Sequence, residues 1–308
     1  MLLFLAFIGS LALLLLSARL FTRAAERVGL ALGMSTFMVG VVIVGVGTSL
    51  PELISGLFSV SQGVSEIVSG NVLGANAANL LLILGVSAVF SVLRPVYLGE
   101  SYIAIDLQFL VGSAFVLGVV MYDGVVSRLE GLCLLGVYLV YVLYLLKEGS
   151  SGEAKSPRPP LKKLDLLILV LCAVGLYFGA EWTVNSLQGL SAGLGVPPAI
   201  VAVTLLALGT TLPELAVSLS AARRGKAALA VGNILGSCIF NALVVVGAGA
   251  VYGTVQVPAE LTSFALPFVL GATLLFYLLV QDRRISSWEG LLYLGMYGLF
   301  VLKISGLA

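Results

Sequence analysis

The sequence predicts an all-α polytopic membrane protein, whose ten transmembrane helices form two inverted repeats of five helices each. Three observations support this prediction. The 308 residues are 60% hydrophobic and only 10% charged, whereas soluble domains carry about 25% charged residues. Apolar runs long enough to cross a membrane recur along the whole chain. A polar motif inside one of these runs occurs a second time, 162 positions later.

A transmembrane helix needs about 20 apolar residues, and ten stretches of the chain meet that length. The first five are predicted at 2–20, 36–60, 67–90, 102–121 and 129–147, and the second five at 164–187, 199–222, 228–251, 264–281 and 289–306. We therefore expect a first repeat at 1–147, a linker at 148–163 and a second repeat at 164–308. The linker is rich in Gly, Ser and Pro, a composition typical of flexible, solvated tethers.

Positive charge predicts the orientation of these helices. Fourteen of the sixteen Lys and Arg residues follow the odd-numbered predicted helices, and only Arg128 and Lys303 lie on the other side. Because cytoplasmic loops carry the excess of Lys and Arg, we expect a cytoplasmic linker and both termini outside. No basic residue precedes the first apolar run, which is therefore predicted to be a membrane helix rather than a cleaved signal peptide.

The repeated motif is Gly47-Thr48-Ser49-Leu50-Pro51-Glu52, which returns at 209–214 with Thr211 in place of Ser49. Residues 45–85 align with 207–247 without a gap, and fifteen of the forty-one aligned pairs are identical. Five predicted helices separate the two copies, and an odd number places the second copy upside down in the membrane. Inverted repeats of this kind build secondary transporters, which bind substrate near the bilayer midplane at interrupted helices.

A proline beside a carboxylate is costly inside a membrane helix. Pro51 cannot donate a hydrogen bond to the carbonyl of Gly47, and a charge near the bilayer centre costs about 2.5–3.5 kcal/mol on insertion scales. A single proline is often a simple kink, and regularly spaced glycines usually serve helix packing. Because the Pro–Glu pair occurs in both repeats, with no Lys or Arg at matching depth, we interpret Glu52 and Glu214 as functional carboxylates.

Other oxygen-bearing groups accompany the two acids. They are the hydroxyls of Thr48, Ser49, Thr210 and Thr211 on predicted helices 2 and 7, and the amides of Asn79 and Asn241 on predicted helices 3 and 8. Such ligands suit hard cations: Ca²⁺ takes about 6–8 oxygens, whereas Mg²⁺ usually keeps several waters and is less favoured. Na⁺ suits the same oxygens, so the residues alone leave Ca²⁺ and Na⁺ open.

The remaining metal-ligating and acidic residues point away from other chemistry. The chain has no His, and Cys133, Cys172 and Cys238 lack metal-ligand spacing, so we interpret them as small core residues. Glu181 and Asp106 have no acidic counterpart in the other repeat. We therefore expect these two acids near the membrane surface rather than on an ion path.

The motifs at 47–52 and 70–76, repeated at 209–214 and 232–238, resemble the alpha-1 and alpha-2 repeats of the sodium/calcium exchanger superfamily. The likeness is to its prokaryotic Na⁺/Ca²⁺ exchangers. It implies an antiporter of Ca²⁺ and Na⁺ in a prokaryotic plasma membrane, not an enzyme, with no cofactor and no nucleic-acid partner. It also implies function as a monomer, and a gate formed by predicted helices 1 and 6.

The resemblance also assigns roles to individual positions. Glu52 and Glu214 would be the central carboxylates shared by Ca²⁺ and Na⁺. Backbone carbonyls of Thr48 and Thr210 would bind Ca²⁺, and Asn79 and Asn241 would complete the middle of the site. Flanking Na⁺ ligands would come from Ser49, Thr211, Ser237, Gly45 and Ala207.

Two departures from the family pattern and three rival functions follow. Ala75 stands where many members have Ser, so one Na⁺ site would lack a hydroxyl. Asn241 stands where K⁺-dependent members have Asp, which limits the site to two formal charges. The rivals are a Ca²⁺ exchanger coupled to H⁺, a passive cation channel that uses the same oxygens as a filter, and a membrane protein that transports nothing. The paired acids argue against the last of these.

Overall fold

The computed structural model describes residues 2–31, 45–90, 96–97, 102–149, 160, 162–223, 227–282 and 284–306. Helices dominate these ranges. In the first half they are α1 (Leu2–Ala31), α2 (Gly45–Thr48 and Leu50–Ser61), α3 (Glu66–Ala77, a π-helical segment at Ala78–Ile83, and Leu84–Phe90), α4 (Tyr102–Met121) and α5 (Arg128–Gly149).

The second half follows the same pattern. Its helices are α6 (Lys163–Leu194), α7 (Pro198–Val201, a π-helical segment at Ala202–Leu206, Ala207–Thr210 and Leu212–Arg223), α8 (Ala227–Phe240, a π-helical segment at Asn241–Val245, and Val246–Tyr252), α9 (a π-helical segment at Leu261–Ala265, then Leu266–Leu279) and α10 (Ser287–Ile304). A short 3₁₀ turn at Val280–Asp282 follows α9.

Within the described residues, seven helices are long and apolar enough to cross a membrane: Leu2–Ala31, Glu66–Val89, Arg128–Leu145, Lys163–Leu194, Pro198–Leu219, Val231–Tyr252 and Leu261–Leu279. Two shorter apolar helices lie at Leu50–Ser61 and Leu107–Met121. The protein is therefore a mainly helical, polytopic membrane protein. The start of the helix predicted at 36–60 and most of the linker at 148–163 lie outside the described residues.

Two helices are much longer than predicted. α1 was expected to end at residue 20 and α6 at 187, but they continue to Ala31 and Leu194. At about 1.5 Å per residue, helices of this length exceed the hydrocarbon core of about 30 Å. The charged residues that suggested a loop after residue 20 instead lie on a helical extension, which tilts or projects beyond the core.

Two short antiparallel ribbons are absent from the all-α prediction. β1 (Val96–Tyr97), between α3 and α4, pairs with β4 (Arg284–Ile285), between α9 and α10. β2 (Val125–Val126), between α4 and α5, pairs with β3 (Val255–Gln256), between α8 and α9. Each ribbon therefore joins the two halves of the chain.

The second ribbon is also fastened to the turn between α2 and α3. The Ser69 hydroxyl donates to the carbonyl of Gln256 at 2.8 Å, and the N–H of Gln256 donates to the Ser65 hydroxyl at 3.1 Å. The connections that follow α2, α4 and α8 consequently meet on one side of the molecule.

α1 and α6 form a close antiparallel pair. Gly179 faces the backbone of Leu14, Gly175 faces Ser17, and the Arg27 Nε is 2.6 Å from an Asp165 carboxylate oxygen where α1 ends and α6 begins. Their buried apolar residues, with Ile67 of α3 and some residues from α7, make a second cluster distinct from the main core. The two longest helices thus pack on each other beside the rest of the molecule.

The main core surrounds α3 and α8, which are almost completely buried. Gly70 and Gly74 of α3 lie directly against the carbonyls of Ala199 and Val203 in α7. A Cβ atom at either glycine would overlap these carbonyl oxygens. The small residues expected to permit close helix approach do so here, and they bring α3 against the segment of α7 that precedes the second motif.

One expectation about the core is wrong. Cys172 and Cys238 are buried, but Cys133 is exposed on α5. An apolar run in a membrane helix does not separate inward positions from lipid-facing ones, because lipid accepts the same residues as the protein core.

We expect Gly179→Val to destabilise the α1–α6 pair, because a Cβ atom at this position would lie 2.8 Å from the Cα of Leu14. Overpacking of this kind costs about 1–3 kcal/mol, measurable as a lower thermal unfolding midpoint of the detergent-purified protein. Gly193→Ala in the same helix is the matched control, since its added Cβ would have no neighbour within 4 Å. An unchanged midpoint for Gly179→Val would contradict the close contact.

Candidate ion-binding site

The first motif interrupts α2. The helix stops at Thr48, Ser49 adopts φ −94° and ψ 11°, and helical structure resumes at Leu50 with proline in its first turn. Pro51 has no N–H, so it cannot donate to the carbonyl of Gly47. The predicted loosening at this turn is therefore a real break, located one residue after Thr48.

The second motif interrupts α7 in the same manner. The helix stops at Thr210, Thr211 adopts φ −83° and ψ 1°, and the next segment begins at Leu212. A π-helical segment ends at Leu206, immediately before this piece of helix. Two equivalent breaks with nearly equal backbone angles therefore place the two motifs in the same local conformation.

Asn79 and Asn241 lie in equivalent π-helical segments of α3 and α8. The carbonyl of Asn79 accepts from the N–H of Leu84, and that of Asn241 accepts from the N–H of Val246. Each bond spans five residues instead of four. Such π bulges occur frequently at functional sites, and here they mark the two positions that sequence comparison had paired.

Glu52 and Glu214 are both completely buried. Oε1 of Glu214 accepts from the hydroxyls of Ser49 and Ser237, each at 3.3 Å. Neither oxygen of Glu52, nor Oε2 of Glu214, has a hydrogen-bond partner among the described residues. Buried charge without compensation is strongly unfavourable, so these carboxylates need a bound cation or a proton to compensate their charge.

One of the two contacts on Glu214 crosses between the repeats. Ser49 comes from α2 in the first half, whereas Ser237 comes from α8 in the same half as Glu214. The Thr48 hydroxyl lies 3.4 Å from that of Ser237. Either hydroxyl can be the donor in this pair. Both hydroxyl oxygens keep acceptor capacity for a cation.

The corresponding residues around Glu52 bond differently. The Thr210 hydroxyl lies 3.3 Å from Asn71 Oδ1 and 3.1 Å from the carbonyl of Leu206. The Thr211 hydroxyl donates to the carbonyl of Ala207 at 2.9 Å, and the N–H of Thr211 donates to the same carbonyl at 3.1 Å. Glu52 therefore lacks the hydroxyl donors that its counterpart has, and the carbonyl of Ala207 is already engaged.

The structure thus gathers most of the predicted site residues around the two helix breaks. Gly45 opens the described part of α2, one turn before Ser49. Glu181 is half-buried on α6, and the side chain of Asp106 lies outside the described residues. The prediction missed Asn71 and Asn76, two buried amides on α3 that bond across to α7 and α8.

This inventory favours hard cations. The part of the chain that the structure describes has no group of three or more His, Cys, Asp or Glu side chains that could hold a metal ion. A cation here would use two carboxylates together with hydroxyl, amide and carbonyl oxygens. Oxygen ligands of mixed type and flexible geometry suit Ca²⁺ and exclude the sulfur or imidazole sites of softer metals.

A family model described as "Sodium/calcium exchanger protein" matches residues 2–147 and 164–305, which is nearly the whole chain. The chain belongs to the sodium/calcium exchanger family. A membrane protein of Methanocaldococcus jannaschii named as uncharacterized is 30% identical, with 94% of each chain covered. The sodium/calcium exchanger MaX1 of Methanosarcina acetivorans is 28% identical, with 98% of each covered.

Solved structures agree with this assignment. The sodium–calcium exchanger NCX_Mj, soaked with 2.5 mM Na⁺ and 1 mM Sr²⁺, matches with a TM-score of 0.69 at 26% identity, and 97% of each chain is covered. The protein is therefore an integral membrane transporter and a cation/Ca²⁺ antiporter of this family. The matched ranges stop at 147 and resume at 164, so they omit the segment that we predicted as a linker.

We expect Ser237→Ala to lower the free energy of unfolding by about 1.5–3 kcal/mol, as for a hydrogen bond to a charged group. Ser113→Ala is the control, because Ser113 is also buried but its hydroxyl donates to a carbonyl of its own helix. Chemical unfolding in buffer without Na⁺ or Ca²⁺ measures the difference. Equal losses for the two variants would argue against the Ser237–Glu214 bond.

Proposed function

We propose that this protein exchanges Ca²⁺ for Na⁺ by alternating access, with Glu52 and Glu214 as central ligands for both ions. One observation carries the proposal. Two completely buried carboxylates sit at equivalent helix breaks, and three of their four oxygens have no hydrogen-bond partner among the described residues. Such a pair is stable in an apolar interior when a cation lies between its members.

The other predicted residues supply the remaining oxygens. Ca²⁺ would bind to the two carboxylates, to the carbonyls of Thr48 and Thr210, and to the oxygens of Asn79 and Asn241. Ser49 and Ser237, with the carbonyl of Gly45, would hold a flanking Na⁺. The mirror-related site at Thr211 and Ala207 would lack one hydroxyl, because Ala75 occupies the position of Ser237.

We further propose that all ten helices cross the membrane as two inverted repeats. The ribbons support this arrangement. A two-fold axis in the membrane plane would carry the connection after α3 onto that after α8, and the connection after α4 onto that after α9. It would thereby exchange the β1–β4 ribbon with the β2–β3 ribbon. If all ten helices cross the membrane, each ribbon also pairs two connections on the same side. β1 and β4 follow the odd-numbered helices α3 and α9, and β2 and β3 follow the even-numbered helices α4 and α8.

Ten crossings and the charge distribution would place both termini outside and the segment at 148–163 in the cytoplasm. The Arg27–Asp165 ion pair would then lie on the cytoplasmic side, where α1 ends and α6 begins. A prokaryotic plasma membrane is the expected location, and a single chain would provide the complete site.

The α1–α6 pair is the proposed gate. Its buried apolar cluster is distinct from the main core and includes Ile67 of α3 and residues of α7, so the pair would slide over these contacts without disturbing the larger core around α3 and α8. Two ionised acids give the site a charge of −2, which Ca²⁺ neutralises and three Na⁺ would convert to +1. An uncompensated charge should oppose movement of an apolar gate, so exchange would be obligatory and, at three Na⁺, electrogenic.

Coupling to H⁺ is the second candidate, and the bonding of Glu52 favours it. A carboxyl group without hydrogen-bond donors can take a proton as readily as a metal ion. A passive channel is less well supported, since the described helices pack α3 and α8 into a closed core.

We expect Glu52→Gln and Glu214→Gln each to abolish Ca²⁺ uptake by proteoliposomes loaded with Na⁺, because each removes half of the site's negative charge. The loss should be at least about a hundredfold, since an unpaired buried charge costs 3–5 kcal/mol. Glu260→Gln, at an exposed acid, is the matched control and should transport normally. Near-normal uptake by either site variant would refute the assignment.

Imposed gradients identify the coupling ion. We expect an outward Na⁺ gradient to drive radioactive Ca²⁺ into liposomes, and an outward H⁺ or K⁺ gradient alone to drive none. Uptake driven by a pH gradient without Na⁺ would establish the H⁺-coupled alternative. Single-channel currents in planar bilayers, independent of any ion on the opposite side, would establish a channel.

A further inference from the structure

Asn76 contacts its own counterpart in the other repeat. It lies on α3 next to Ala75 and is 5% exposed, and the position 162 residues later is Cys238 on α8. Asn76 Nδ2 donates to the backbone carbonyl of Cys238 at 3.2 Å. Residues related by a two-fold axis touch each other only next to that axis. Asn76 and Cys238 therefore lie next to the proposed two-fold axis, at the centre of the two repeats. A second amide side chain at position 238 would compete with Asn76 for the same space.

A second hydrogen bond connects Asn76 to the predicted site. Asn241 Nδ2 donates to Asn76 Oδ1 at 3.3 Å. Cys238, Asn76 and Asn241 thus form a chain of two hydrogen bonds, which starts at a backbone carbonyl and ends at the side chain of a predicted site residue.

The direction of this chain follows from its first member. A backbone carbonyl only accepts, so Asn76 must turn its NH₂ group toward Cys238. Its oxygen then faces Asn241, which must present its own NH₂ group in return. The oxygen of Asn241 is consequently turned away from Asn76. This reasoning fixes both amides by chemistry, although oxygen and nitrogen of an amide look alike in most structures.

The oxygen of Asn241 that is left over is buried and has no hydrogen-bond partner among the described residues. Its counterpart Asn79 differs, because neither of its polar atoms is bonded within the same ranges. Only one of the two paired amides is therefore held in a fixed orientation.

We propose that Asn76 is a positioning residue for cation binding: it holds Asn241 with its oxygen toward the cargo and its NH₂ group away. The proposal rests on the function proposed above. A freely rotating amide would present hydrogens to the cation part of the time, which repels it. The relay also selects Asn at position 241, since a carboxylate there would place an oxygen against Oδ1 of Asn76.

Two substitutions of Asn76 separate orientation from packing. Asn76→Leu keeps the volume but removes both hydrogen bonds, whereas Asn76→Ser keeps a hydroxyl that can donate to the Cys238 carbonyl and accept from Asn241. We expect equilibrium Ca²⁺ binding by the purified protein to weaken about tenfold or more in Asn76→Leu, as for other outer ligand-orienting residues. Asn76→Ser should bind Ca²⁺ more tightly than Asn76→Leu. A purely structural role predicts the reverse order, because Leu fills the buried space and Ser leaves a cavity; equal affinities, or a larger loss in Asn76→Ser, would overturn the proposal.

A double-mutant cycle tests whether Asn76 acts through Asn241. In the Asn241→Leu background, Asn76→Leu should cause no further loss of Ca²⁺ affinity. Thr273→Val, at a buried threonine of α9, is the control and should add nothing in either background. Additive losses of Ca²⁺ affinity from the two asparagine substitutions would show that Asn76 does not act through Asn241.

The wild-type protein separates this failure from failure of the proposed function. If it exchanges Ca²⁺ while the two losses of affinity are additive, only the positioning role of Asn76 is wrong. If it neither binds nor exchanges Ca²⁺, the proposed function is wrong as well.

Discussion

A carboxylate that leaves water must replace its hydration with fixed dipoles or with a cation, and this chain buries two carboxylates completely in one apolar interior. At the helix breaks at Ser49 and Thr211, Pro51 and Pro213 leave the carbonyls of Gly47 and Gly209 without their usual helical donor. The glycines of α3 bring a third helix against the second break. None of these features would help an apolar helix bundle to pack. Together they favour a site that is more stable with a bound cation than without one.

The two halves of the site share positions but not bonds. Glu214 receives two hydroxyl donors, while Glu52 receives none within the described residues. The difference arises from Ala75 opposite Ser237, and from the Thr211 hydroxyl, which turns back to its own helix. The two flanks therefore differ in their side-chain hydrogen bonds, although the backbone angles around them are nearly the same.

The sequence supported the larger features because they depend on composition and on repetition. α4 occupies the predicted range, and the break predicted near Pro51 lies two residues away, at Ser49. The extensions of α1 and α6 could not be predicted, because Arg23 and Arg27 in the first, and Gly189 and Gly193 in the second, look like a loop when hydropathy alone is considered. Ribbons of two residues per strand have too little pattern to recognise.

The site residues that were missed have different causes. Comparing repeats draws attention to matching positions, and Asn76 matches a cysteine. Asn71 does match Asn233, but only the structure shows its contact with the Thr210 hydroxyl. The orientation of the Asn76 and Asn241 amides could not be predicted from the sequence either, because it depends on which backbone carbonyl lies opposite the Asn76 side chain.

The ribbons have a consequence for biosynthesis. β1 pairs with a strand about 190 residues further along the chain, so the first half leaves the ribosome long before its partner exists. Contacts between such distant segments form late and slowly. Until then, Glu52 lacks the neighbours that the second half contributes. The nascent chain therefore passes through a stage in which a membrane helix carries an unshielded acid, and completion of the ribbons ends that stage.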